Sequence, residues 1–101
     1  MENQWENLRE SVSYLKGSIM SRQLRKNGKL NITLFCMAKG TVLSEHTSSR
    51  EGFIYVLDGN GMFILEGKEI EMVPGIAIFM KKGAGHSLKA KENTAFVLVL
   101  G

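Results

Sequence analysis

EHTSSREGFIYVLDGNG, residues 45–61, is the stretch on which the fold turns. It runs from a histidine through small polar residues into a β-branched and aromatic segment, and ends in a glycine-rich turn. Side chains alternate across a strand, so residues two apart share a face. That alternation predicts His46, Ser48, Gly52, Ile54 and Val56 on one face, looking inward, with Glu45 and Glu51 on the other. The inward set joins an imidazole and a hydroxyl to an apolar strand, which is the makeup of a pocket rim. A bulge near Ser48-Ser49 is the local device that would turn Glu51 inward.

The rest of the chain repeats the strand pattern. MFILE (62–66), IAIFM (76–80) and TAFVLVL (94–100) have strand length and composition, and glycines recur between them. Asp58-Gly59-Asn60-Gly61 lacks a following helix and is expected to be a hairpin turn rather than a phosphate loop. Pro74, the only proline, falls in a turn before Ile76. Upstream, Ile19 to Leu24 and Leu30 to Met37 are predicted to form a hairpin through Asn27-Gly28, where the glycine would take a positive φ. Leu34, Phe35, Cys36 and Met37 make that second strand apolar on both faces, so it is expected to be central or covered by a partner. In residues 3–16, Trp5, Leu8, Val12 and Leu15 have helical spacing, and the amphipathic helix they predict is broken at Gly17. Many short strands at regular spacing imply an all-β sandwich or barrel, preceded by a short N-terminal α-helix. The expected organisation is an N-terminal helical segment over 1–18 and one barrel domain over 19–101.

Composition sets the outer limits. The 101 residues suit one domain, and 44% apolar with 23% charged residues is an ordinary globular balance. The net charge of +3 is mild, and the basic run at 22–29 has no interleaved aromatic residues to stack on bases, so no nucleic-acid partner is expected. Cys36 is the only cysteine, which excludes an internal disulfide and suits a reducing compartment. The first twenty residues carry charges throughout, and no apolar run reaches membrane-spanning length. These features lead to an expectation of a cytoplasmic protein without a membrane partner.

Two segments together resemble a known family. Gly40-x5-His46-x-Ser48-x3-Gly52-x6-Gly59 is similar to the first motif of the cupins, and VPGIAIFMKKGAGH, ending at His86, is similar to the second. The resemblance covers residues 40–86, and the flanking strands extend the expected cupin core to about 19–100. It implies a small antiparallel β-barrel or jelly roll with a short N-terminal α-helix, a homodimer, and a divalent metal held by three histidines and a glutamate. Position by position, His46 and His86 match two of those histidines, while Ser48 stands at another and Gly52 at the glutamate. His46 and His86 are therefore the metal-ligating candidates, with Cys36, Met62 and Met80 available to complete a site for a thiophilic ion, Met80 being the one expected to face inward.

With that ligand set depleted, the leading expectation is a small-molecule pocket. His46, Ser48 and His86 would supply its polar groups, and Ile54, Val56, Ile78 and Met80 its apolar lining. A metal-dependent dioxygenase or isomerase with unconventional ligands is the alternative, and a structural or interaction module the third.

Overall fold

The structure, a computed structural model, describes residues 4–101. Nine strands follow one short helix, α1 (Leu8–Ser11): β1 (Ile19–Lys26), β2 (Asn31–Met37), β3 (Val42–His46), β4 (Gly52–Asp58), β5 (Gly61–Leu65), β6 (Lys68–Met72), β7 (Ala77–Met80), β8 (His86–Ala90) and β9 (Thr94–Leu100). They form a five-stranded sheet in the order β1-β2-β9-β4-β7 and a four-stranded sheet in the order β3-β8-β5-β6. The fold is all-β, a small jelly roll whose two antiparallel sheets face each other, as the strand spacing predicts.

The turns depart from expectation in two places. Asp58 to Gly61 does not close a hairpin, because β4 and β5 belong to different sheets and the turn carries the chain across the sandwich. Gly59 is required there: its φ is +99°, and a Cβ would stand 2.0 Å from the Asn93 carbonyl oxygen. The β1–β2 hairpin forms, yet Gly28 does not take a positive φ. The Asn27 side chain closes that turn instead, its Oδ1 accepting from the backbone N–H groups of Lys29 (2.8 Å) and Leu30 (2.9 Å).

The inner faces share one core. Met37, Ile54, Val56, Phe63, Met72, Ile78, Met80, Leu88, Ala90 and Phe96 are buried in a single cluster, with Phe35 stacked on Phe96 at a centroid distance of 5.1 Å. These residues come from both sheets, and each is flanked in its strand by residues pointing the other way. Burial of this kind stabilises each large apolar side chain by about 1.5–3 kcal/mol.

A second cluster lies on the outer face of the five-stranded sheet. Leu34, Cys36, Ala95 and Val97 are buried there beneath Leu8, Val12 and Tyr14. The apolar outer side of β2 is thus covered by the chain's own N-terminal segment. That segment is not the helix expected over residues 3–16. Asn3 lies outside the described residues, α1 has four residues, and Val12 is already extended (φ −71°, ψ 127°). Trp5 and Leu15, assigned by helical spacing to the buried face, are 82% and 59% exposed. A helix this short gains little from its own hydrogen bonds, and the serines at 11 and 13 with β-branched Val12 disfavour extending it. The extended strap instead lays Val12 and Tyr14 on a surface already built from strands.

The strap is fastened at two points. Arg22 pairs with Glu6, and the Tyr14 hydroxyl donates to the Asp58 carboxylate at 2.8 Å. Burial, aided by that hydrogen bond to a negative group, pushes the Tyr14 phenol well above the ordinary tyrosine range. An unfolded tyrosine releases its proton at about pH 10. The folded chain holds this proton where the unfolded chain has lost it, so the contribution is present below that pH and falls away above it. Tyr14→Phe is expected to lower the unfolding free energy near neutral pH by about 0.5–1.5 kcal/mol. It should also flatten the loss of stability above about pH 10, read by urea denaturation across a pH series; an unchanged alkaline profile would show that the clamp contributes nothing.

Candidate functional site

The site is set by the way β8 pairs with its neighbours. Leu43 of β3 sits opposite Leu88 of β8, and His46 sits opposite His86. Three steps along β3 are matched by two along β8, so β3 carries a bulge at Ser44-Glu45. Without that extra residue, Leu43 and His46 would point to opposite faces. With it, Leu43 packs on the inner core and His46 turns to the same side as His86. The bulge that matters lies in β3, ahead of the histidine, not at Ser48-Ser49.

Three rings then step outward from the core. Phe63 is fully buried, His86 is 6% exposed, and His46 is exposed to solvent. His86 stacks on Phe63 with centroids 5.7 Å apart and planes 6° apart. His46 meets His86 edge-on at 4.2 Å. The two histidines far apart in sequence form one pair that runs from the edge of the core to solvent.

Their hydrogen bonds fix which nitrogen is free. His46 Nδ1 lies 2.7 Å from the Ser44 carbonyl oxygen, and His86 Nδ1 lies 3.0 Å from that of Ala84. A carbonyl oxygen only accepts, so each Nδ1 carries the hydrogen and each neutral ring keeps a lone pair on Nε2. The same tether, to a carbonyl two residues back, is used on both strands. Among the described residues, Asn60 Oδ1 is the buried side-chain oxygen or nitrogen left without a partner. His86 Nε2 is therefore not sealed in the core.

The other expected site residues fall into two groups. Ile54, Val56, Ile78 and Met80 point inward as buried members of the core cluster. Ser48 is half-buried in the loop after β3, where its Oγ accepts from the Arg50 N–H at 3.1 Å and its carbonyl oxygen accepts from Gly83 N–H at 2.8 Å. The second bond ties the loop after His46 to the loop before His86. Cys36 sits in the outer cluster under the N-terminal strap, on the far side of a sheet from the histidines. Met62 alternates with buried Phe63 on β5 and so faces away from the interior.

Gly52 has a specific neighbour. A Cβ at that position would lie 2.5 Å from the Met80 methyl carbon and 3.3 Å from Leu100 Cδ2. Gly52 and Met80 are also direct partners across β4 and β7. The space into which a larger residue at 52 would grow belongs to Met80.

A small two-sheet jelly roll with two imidazoles meeting at the edge of its core is the class of protein this geometry defines. The chain belongs to the cupin family: the family model of the cupin domain matches residues 33–100. Among solved structures, a conserved protein of unknown function from Streptococcus pyogenes is 25% identical, with 99% of this chain and 88% of that one covered and a TM-score of 0.88. A cupin 2 conserved barrel domain protein from Leptotrichia buccalis is 29% identical at a TM-score of 0.88; the match covers 94% of this chain and 46% of that longer one. A cupin superfamily protein from Desulfitobacterium hafniense shares the fold at 18% identity, with a TM-score of 0.87 over 92% of this chain and 85% of that one. No curated protein matches.

Cupins often hold a metal through three histidines and a glutamate, and the residues here do not fit that group. No three of His, Cys, Asp and Glu converge among the described residues. The glutamate position is Gly52, and the Met80 methyl occupies the room beside it. Gly52→Ala is expected to destabilise the fold by about 1–3 kcal/mol through overpacking. Met80→Leu, which shortens that side chain, should relieve the crowding, so the double variant loses less than the sum of the single losses. Additive losses in chemical denaturation would contradict the contact.

Proposed function

We propose that this cupin binds a small organic molecule carrying a carboxylic or hydroxyl group where its two histidines meet. The observation that supports this most is the His46–His86 pair, with both Nδ1 atoms tethered and both Nε2 atoms left to a visitor. Convergent polar groups beside an apolar wall suit a small ligand. His46, His86 and the Ser48 hydroxyl are the polar contacts in this reading, and Ile54, Val56, Ile78 and Met80 belong to the packed core behind them.

The tautomer sets what the ligand must present. A neutral Nε2 accepts, so it takes a hydroxyl or a protonated acid; a protonated ring donates through the same nitrogen to a carboxylate. A divalent ion on His46 and His86 alone would have two protein ligands, short of the three that an open zinc site ordinarily has, and would exchange readily.

Titration with butyrate, followed by the ring resonances of both histidines, tests the reading. The two rings are expected to shift together on binding, and the ligand-induced shift of His86 should vanish in His46→Ala. No shift at either ring, or an unchanged shift in the variant, would sink the proposal. The same samples, purified without an affinity tag, should contain well under one divalent ion per chain. A stoichiometric ion lost in both His46→Ala and His86→Ala would replace the organic ligand with a metal.

A further inference from the structure

Between the N-terminal strap and the end of β4 lies a cleft that the histidine pair does not touch. Its volume is about 430 Å³, and it is lined by Arg9, Val12 and Tyr14 of the strap, Leu57 and Asp58 of β4, and Pro74 of the turn before β7. That is room for a small organic molecule.

A bulge builds the sheet side of this cleft. Val56 sits opposite Phe96 of β9 and Asp58 opposite Ala95, so two steps along β4 are matched by one along β9 and Leu57 is the extra residue. Plain alternation would turn Asp58 inward beside Val56. Ala95 belongs to the outer cluster, so its partner Asp58 is turned to the outer side, where the Tyr14 hydroxyl donates to Oδ2. Leu57 packs on that same cluster. The Pro74 turn is pinned to this end of β4: Gly75 N–H donates to the Val56 carbonyl oxygen and Val56 N–H to that of Ile76, both at 2.9 Å. Backbone pairing thus holds this wall in place.

Two opposite charges line the cleft without neutralising each other. Among the described residues, the Arg9 guanidinium has no hydrogen bond or ion pair, and Asp58 Oδ1 has no donor. Tyr14 takes Oδ2, which orients the carboxylate and leaves its other oxygen open. A ligand carrying only an acid would meet Asp58 as a like charge, and one carrying only an amine would meet Arg9 in the same way. We infer that the cleft binds a free amino acid with a bulky apolar side chain, its carboxylate on Arg9, its ammonium on Asp58, and its side chain against Val12, Leu57 and Pro74. A guanidinium takes a carboxylate through two parallel N–H groups, and an ionised carboxylate only accepts, as an ammonium requires. Arg9 stands on the strap and Asp58 on the sheet, so the bound amino acid fastens the strap at a third point and stabilises the folded chain by mass action. This site is independent of the ligand reading for the histidines: Val12, Tyr14 and Leu57 pack on the outer cluster, whereas His86 stacks on Phe63 of the inner core.

Titration of the nitrogen-labelled chain with L-phenylalanine up to about 10 mM, enough to saturate a site of roughly millimolar affinity, tests the inference. The amide resonances of Val12, Tyr14, Leu57 and Asp58 are expected to shift together and saturate, while the rings of His46 and His86 stay where they are. Arg9→Gln and Asp58→Asn should each raise the dissociation constant by about 3-fold or more. Both side chains are exposed, and an asparagine oxygen still accepts from Tyr14, so the circular dichroism spectrum should not change. N-acetyl-L-phenylalanine and L-phenylalaninamide, each lacking one charge, should bind more weakly than L-phenylalanine, and so should glycine, which lacks the side chain. No saturable shift at these amides, or a dissociation constant that either variant leaves unchanged, overturns the site. Single-charge derivatives that bind as tightly as L-phenylalanine overturn the zwitterion, and glycine binding as tightly overturns the apolar contact.

Discussion

The register of β8 between β3 and β5 is the constraint on which the rest of the molecule depends. On one side it sets Leu88 against Phe63 and His86 against Leu65, and on the other, through the bulge in β3, it sets His86 against His46. A slip of one residue would exchange the faces of β8, exposing Leu88 and Ala90 and turning His86 to the outside. The core therefore enforces the histidine pair: the register that buries Leu88 and Ala90 is the register that brings the two imidazoles together. Site and stability share one cause here.

The same economy operates on the five-stranded sheet. Strands β2, β4 and β9 are apolar on both faces, and a domain of this size has few helices to spare as covers. The N-terminal segment answers this for β2 and part of β9 by lying across them as an extended strap, held by the Arg22–Glu6 pair and the Tyr14–Asp58 hydrogen bond. Cys36, one of the soft side chains considered for completing a metal site, is buried on the side of the sheet away from the histidines. What the strap leaves bare is the aromatic region around Phe79.

Much of this was legible in the sequence because it rests on spacing. Alternation placed Ile54, Val56, Ile78 and Met80 inward, and the motif resemblance put His46 and His86 in one fold. Other features carry no such mark. The bulge in β3 falls on Ser44-Glu45, residues that occupy ordinary strands as readily as bulges, with no glycine to signal it. KEIEM in β6 and HSLKA in β8 are short and polar, so strand composition misses them, although burial of Met72, Leu88 and Ala90 shows each has an inner face. Helical spacing at Leu8 and Val12 was a coincidence with strap packing: both contact the outer cluster, Leu8 from the four-residue helix and Val12 from extended backbone, and Trp5 and Leu15 are exposed. The role of Gly52 became visible only when Met80 was found across from it.

The account rests most directly on the state of the two rings, since a paired Nε2 acceptor site exists only if both Nδ1 atoms hold the hydrogen. Long-range proton–nitrogen correlation spectra of the uniformly labelled chain, recorded with both rings neutral, report the tautomer of each ring separately. The account predicts the Nδ1–H form at both His46 and His86. A dominant Nε2–H form at either neutral ring would contradict it, because the tether from Nδ1–H to the Ser44 or Ala84 carbonyl would then be absent.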